Sequence, residues 1–166
     1  MFAGGSYGDP KLLIPAKRAG RHRTVGMGRD NQLDVMASVQ VELVDHAVSA
    51  GTARAAIVEA CRRWHLSELV DSAGLLVSEL VTNAIRHAEP PISLLIARPS
   101  TDMLRVEVAD HSSDPPEADL YPDTETPGGR GLLIVDSFAT RWGYQPVGNG
   151  KIVWFELASK PATTQP

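Results

Sequence analysis

The sequence is short of four things, and each absence closes off a class of protein. It holds one cysteine, Cys61, in 166 residues, which excludes an internal disulfide and any cysteine-cluster metal site. Its apolar stretches run for only a few residues, against the ~20 needed to span a bilayer. It has no surplus of basic charge: 16 Lys and Arg stand against 20 Asp and Glu, a net charge of −4, so the basic footprint of a nucleic-acid binder is missing. The opening residues Met1-Phe2-Ala3-Gly4-Gly5-Ser6 lack the charged-then-apolar order of a secretory signal. What is present is ordinary globular composition, 43% hydrophobic and 22% charged, at about one domain's length. The expectation is a cytoplasmic single-domain protein with no membrane partner and no direct nucleic-acid partner.

Charge is unevenly spread. Residues 1–36 carry six basic and three acidic side chains and six glycines, with no sustained apolar period. That composition predicts a flexible N-terminal tail over 1–37, a folded domain over 38–158 and a C-terminal tail over 159–166. No internal repeat is visible.

Within the domain the apolar period switches between two and 3.6. Val39, Val41 and Leu43 alternate with Gln40 and Glu42, the pattern of a half-buried strand. Ala53, Ala56, Ile57, Ala60, Cys61 and Trp64 then form one face of an amphipathic helix, with Cys61 as a buried small hydrophobe. A second helix is predicted over 70–88. Leu76, Leu80, Ala84 and Ala88 line one stripe, and Val77, Val81 and Ile85 widen it into a largely buried surface. Gly74 inside this helix costs about 1 kcal/mol against Ala, and close packing is the expected reason for it. Ile92, Leu94 and Ile96, then Leu104, Val106 and Val108, form two strands joined by a turn at Pro99-Ser100-Thr101-Asp102. From Asp110 to Pro127 there are four prolines, six acids, no Lys or Arg and no period, the mark of a long functional loop such as a lid. A short helix over Leu132–Phe138 and a hairpin through Trp142, Tyr144, Gly148-Asn149-Gly150 and Ile152–Leu157 close the domain. The fold class is α+β: a two-layer sandwich with a mixed, mostly antiparallel sheet and helices on one face.

Four features on this scaffold carry chemistry. Glu79 and Asn83 interrupt the apolar second helix one turn apart and share a face. An Asn amide oxygen can ligate Mg²⁺, and a Glu one turn away can act as a general base; an exposed helical edge is the plainer reading of the same spacing. Asp110 shares the parity of Leu104, Val106 and Val108, so its carboxylate points to the core face and needs a partner. The amino group of adenine is one candidate, and a capping or turn-forming role is another. Gly128, Gly129 and Gly131 precede a helix, where backbone N–H groups can meet phosphates. The five histidines show no ligand spacing, which argues against a zinc site.

Together these segments resemble a known family. Leu76-Val77-Ser78-Glu79-Leu80-Val81-Thr82-Asn83-Ala84-Ile85-Arg86-His87-Ala88 resembles the asparagine box of the GHKL, or histidine-kinase-like, ATPases. It is similar, more narrowly, to that of the small bacterial anti-sigma factors that are also serine-protein kinases. Val106-Glu107-Val108-Ala109-Asp110 resembles the family's adenine-binding strand. Gly128-Gly129-Arg130-Gly131-Leu132-Leu133-Ile134-Val135 resembles its second glycine box. Gly150-Lys151-Ile152-Val153-Trp154-Phe155-Glu156-Leu157 looks like the closing strand of actinobacterial members.

The resemblance implies a histidine-kinase-like sandwich that binds ATP with Mg²⁺. Asn83 would hold the metal, Glu79 would be the general base, and Asp110 would take the adenine amino group. Gly128, Gly129, Arg130, Gly131 and Leu132 would lie along the phosphates, and His87, one turn beyond Asn83, would border them. The implied activity is ATP-dependent serine/threonine-protein kinase activity toward an anti-anti-sigma protein, combined with sequestration of a sigma factor, and members commonly form homodimers. The sequence departs from the pattern in three places. The first glycine box reads Asp110-His111-Ser112-Ser113-Asp114, the lid is acidic, and Ile152 replaces a usual Thr. These departures leave open the alternative of a catalytically weak or inactive binding module that sequesters a sigma factor or other regulatory partner, with the kinase as the leading reading. A nucleotide sensor without such a partner is a third reading.

Overall fold

The computed structural model describes residues 36–44, 46–88, 91–116 and 131–159. Its elements run β1 (Ala37–Leu43), α1 (His46–Arg63), a 3₁₀ turn (Ser67–Leu69), α2 (Val70–His87), β2 (Ile92–Ser100), β3 (Met103–Asp110), α3 (Gly131–Phe138), β4 (Arg141–Val147) and β5 (Gly150–Ala158). The five strands form one sheet in the order β1-β2-β3-β5-β4. Every pairing is antiparallel, and the helices gather on one face of the sheet. Apart from Met36, Ala37 and Ser159, the expected tails lie outside the described residues.

Strand parity builds the core. Leu94, Ile96, Leu104, Val106, Val108, Val153, Phe155 and Leu157 face the helices and are buried. From above, α1 contributes Ala53, Ile57, Ala60 and Cys61, and α2 contributes Ala73, Leu76, Val77, Leu80, Val81 and Ala84. Trp142 of β4 is buried too, and its indole N–H donates to Asp136 of α3 at 3.1 Å. The opposite face carries charge instead. Arg105 pairs with Glu107 at 2.7 Å and with Glu156 at 2.9 Å, Arg141 pairs with Glu156 at 2.5 Å, and the Arg105 guanidinium lies 4.1 Å from the centre of the Trp154 ring.

The turns follow local chemistry. Helix α1 ends in a Schellman-type cap: His65 N–H bonds the Arg62 carbonyl at 3.4 Å, and Leu66 N–H bonds that of Cys61 at 2.8 Å. His65 takes the left-handed position, φ 60°, that such a cap requires. The β2–β3 turn is tighter than expected from sequence. β2 continues through Pro99 and Ser100, the turn is Thr101-Asp102, and a register shift between Ala97 and Ser100 absorbs the proline. In the β4–β5 hairpin the turn is likewise two residues, Gly148-Asn149, and Gly150 already pairs with Val147. Gly148 has φ 58°, the positive angle a type II′ turn needs at its first position.

One expectation is corrected. Gly74 is not there for close packing, because a Cβ built on it meets nothing within 4 Å. The same holds for Gly51 in α1. The helix around Gly74 is instead tied by the Ser78 hydroxyl, which donates to the Gly74 carbonyl at 2.7 Å and accepts from Arg54 of α1 at 3.1 Å. Both glycines therefore carry backbone entropy cost without a packing return. Gly51→Ala and Gly74→Ala should each stabilise the protein by about 0.5–1 kcal/mol, read as a rise in the denaturation midpoint at unchanged slope.

Cys61 is buried in the core. Burial, with the charge of Glu68 adding to it, pushes its thiol up to about 11. Thiol reagents at pH 8 should therefore label Cys61 only as the chain unfolds. Since the folded state holds this proton more tightly than the unfolded state, stability should be full below about pH 8.5 and decline as pH rises toward 11. Denaturant titrations at stepped pH, compared with Cys61→Ala, isolate this contribution.

Candidate functional site

The site grows from the end of the β3–β5 ladder. Asp110 is the last residue of β3 and keeps the core-facing parity of that strand. A carboxylate there must be satisfied, and the register places Lys151 directly opposite it. Lys151 Nζ donates to Asp110 Oδ1 at 3.0 Å, with both side chains under 5% exposed. The backbone N–H of Ser112 donates to the same oxygen at 2.9 Å, and Lys151 Nζ also reaches the Ser112 carbonyl at 3.3 Å. Asp110 thus does make the turn that was one reading of its sequence position, and it does so from the core face. Both bonds fall on Oδ1; Oδ2 accepts none among the described residues.

Gly150 makes this approach geometrically possible. A Cβ on Gly150 would stand 2.0 Å from the Asp110 carbonyl oxygen and 3.1 Å from the His111 Cα. Only a residue without a side chain lets β5 begin so close to the end of β3. Asp114 continues the turn, its N–H donating to the Ser112 hydroxyl at 3.3 Å.

Beside this pair lies a cavity of about 270 Å³ lined by Asn83, His87, Asp114, Pro115, Pro116 and Lys151. Helix α2 brings Asn83 and His87 there because they are one turn apart. Glu79, one turn earlier and half-buried, faces the start of α3: a Cβ on Gly131 would come within 2.9 Å of Glu79 Oε2. Gly131 therefore leaves room for that carboxylate. The fold brings Asn83 and His87 to one cavity with Lys151, the partner of Asp110, and Glu79 to the first residue of α3. The side chain of Leu132 is packed in the core, which leaves its backbone as the part available to a ligand. Gly128, Gly129 and Arg130, and the lid beyond Pro116, lie outside the described residues.

Lys151 was not singled out from sequence. Its signal was there: it falls on the core parity of β5 with Val153, Phe155 and Leu157, and a lysine in such a row needs a buried acid. Finding that acid required the ladder register.

The donor set suits nucleotide with Mg²⁺. Asn83 offers one neutral oxygen, and Mg²⁺ commonly takes few protein ligands and completes its shell with water and phosphate oxygens. Among the described residues no group of three or more His, Cys, Asp or Glu converges as a metal cage, and no helix is long and apolar enough to cross a membrane.

The sandwich ends its central ladder in a buried acid beside the asparagine-bearing helix, and the family comparison says which class of domain this is. Residues 43–157 match the histidine kinase-like ATPase domain family. The chain belongs to that family. No curated protein matches it. Among solved structures it is similar to the histidine kinase domain of the blue-light activated histidine kinase from Erythrobacter litoralis EL346, at 22% identity and TM-score 0.39 over 68% of this chain and 60% of that one. The chain thus spans about 60% of that domain's length. It is also similar to the catalytic domain of histidine kinase ThkA. In one nucleotide-free form the identity is 17% and the TM-score 0.43, over 76% of this chain and 99% of that one. A second form gives 16% and 0.44, over 76% and 100%. Likenesses this remote carry no argument about ligands or activity.

The close approach at Gly150 has a direct consequence. Gly150→Ala should lower stability by about 1–3 kcal/mol, as overpacking does, because the start of β5 must separate from Asp110. A thermal melt measures the loss, and a shift of the Lys151 ammonium resonance reports the disturbed ion pair.

Proposed function

We propose that this domain binds Mg-ATP in the cavity beside Asp110 and transfers the γ-phosphoryl group to a serine or threonine hydroxyl of an anti-anti-sigma protein. In the same scheme it sequesters a sigma factor when that partner is phosphorylated. The observation that carries the nucleotide reading is the half-used carboxylate of Asp110: Oδ1 is occupied by Lys151 and Ser112, while Oδ2 is left to accept an exocyclic amino group. Asn83, on the cavity wall, would hold Mg²⁺. Glu79 would take the hydroxyl proton of the acceptor as its oxygen attacks phosphorus and ADP leaves. Phosphoryl transfer asks the protein mainly to position groups and neutralise charge, and the site supplies groups of that kind. The partners, the serine/threonine specificity and a homodimeric state rest on the resemblance of the Glu79–Asn83 helix to anti-sigma kinases.

The binding-module alternative draws on a different observation. Ser112 and Asp114 stand where the first-box glycines would be, and Ser112 is already committed to closing the turn on Asp110. A module of this kind would bind its protein partner without transferring phosphate.

Asp110→Asn is a poor probe because it also strips Lys151 of its counter-charge. The amino group is better deleted from the ligand: purine riboside triphosphate should bind more weakly than ATP by about 1.5–3 kcal/mol in calorimetry. Asn83→Ala should abolish the Mg²⁺ dependence of ATP affinity. Glu79→Gln should keep that affinity while phosphorylation of an anti-anti-sigma partner falls by about 10²–10⁴. Partner binding without phosphate transfer by the wild-type protein decides for the binding module, and unchanged transfer by Glu79→Gln removes Glu79 from catalysis.

A further inference from the structure

Lys151 does more than its ion pair accounts for. It is 4% exposed, yet it lines the cavity together with Asn83 and His87. An ammonium has three N–H donors. One goes to Asp110 Oδ1 at 3.0 Å and one to the Ser112 carbonyl at 3.3 Å, which leaves one unspent among the described residues. Next to it, Asp110 Oδ2 is an unspent acceptor. An unspent donor on the cavity wall, paired with a residue that holds an unspent acceptor, suits a ligand edge that presents an acceptor and a donor side by side.

Resting on the nucleotide reading above, we infer that Lys151 is a base-reading residue whose remaining N–H donates to the ring nitrogen N1 of a 6-aminopurine held through its amino group by Asp110 Oδ2. The two contacts form one unit, because the same ammonium that reads N1 also fixes the carboxylate through Oδ1. Guanine offers a carbonyl oxygen at position 6 and an N–H at position 1. In the same pose it would put an acceptor against Asp110 and a donor against Lys151, so both contacts would be mismatched.

Calorimetry on the full chain tests this with three nucleotides, each with Mg²⁺: ATP, 1-deaza-ATP, in which N1 is replaced by CH and the amino group is kept, and GTP. Wild type should bind 1-deaza-ATP roughly 10- to 100-fold more weakly than ATP, the worth of one hydrogen bond to a charged donor, and GTP more weakly still. Lys151→Met should lose that factor for ATP and bind ATP and 1-deaza-ATP alike. If wild type binds ATP and 1-deaza-ATP equally, the inference fails while the nucleotide reading stands. If Lys151→Met weakens both by one factor, Lys151 is only the counter-ion of Asp110. If wild type binds no ATP, both readings fall together. The wild-type comparison needs no variant, so it decides even where Lys151→Met does not fold.

Discussion

Asp110 and Lys151, two opposite charges held almost out of water, fix the end of the central ladder, and the neighbouring geometry follows from them. A pair this buried adds little net stability over an apolar one, yet it tolerates no loss of a partner. Its members must therefore arrive together, which the β3–β5 register ensures by setting residue 110 against residue 151. That register demands glycine at 150, where the two backbones nearly touch. It also bends the chain after Asp110 into the Ser112 turn, and so brings Asp114, Pro115 and Pro116 to the cavity. One electrostatic requirement thus links strand pairing, a close backbone approach and the wall of the site.

The two faces of the sheet solve different problems. Toward the helices, β3 and β5 present an unbroken apolar row that terminates in the ion pair. On the other face, the alternate residues Arg105, Glu107, Glu156 and Arg141 bond across three neighbouring strands. Glu156 accepts from two arginines at once, which satisfies a carboxylate that is itself nearly buried. Trp154 lies against the Arg105 guanidinium and also close to Gly143, where a Cβ would come within 3.0 Å of its ring. These bonds cross the β3–β5–β4 ladder, the same ladder whose end positions Asp110.

Helix α2 serves both core and site by dividing its circumference. Leu76, Val77, Leu80, Val81 and Ala84 are buried against the sheet and α1, while Glu79, Asn83 and His87, spaced by four, run along the edge that meets α3 and the cavity. Rigid packing on one side is what gives the polar edge a fixed position. Gly131 completes the arrangement by letting α3 start against Glu79.

The elements were legible in the sequence because each depends on local periodicity. The period of two in Val39–Leu43 and Leu104–Val108, and the 3.6 period of both long helices, follow from burying one face of a regular structure. The Glu79–Asn83 spacing and the parity of Asp110 were readable for the same reason. The turn at Pro99 was read too long, since a bulge depends on pairing with the neighbouring strand. Gly74 was assigned a packing role that its open surroundings do not give it. Lys151 was invisible as a partner because forty-one residues separate it from Asp110, and no local pattern encodes which strand will lie beside which. The sequence by itself determined the helices, the strands and the faces they bury, since those are set within a few residues by backbone geometry and water. Only the tertiary structure decided that β5 would insert beside β3 in this register, so that one oxygen of a buried carboxylate is spent on Lys151 and the other is left unspent.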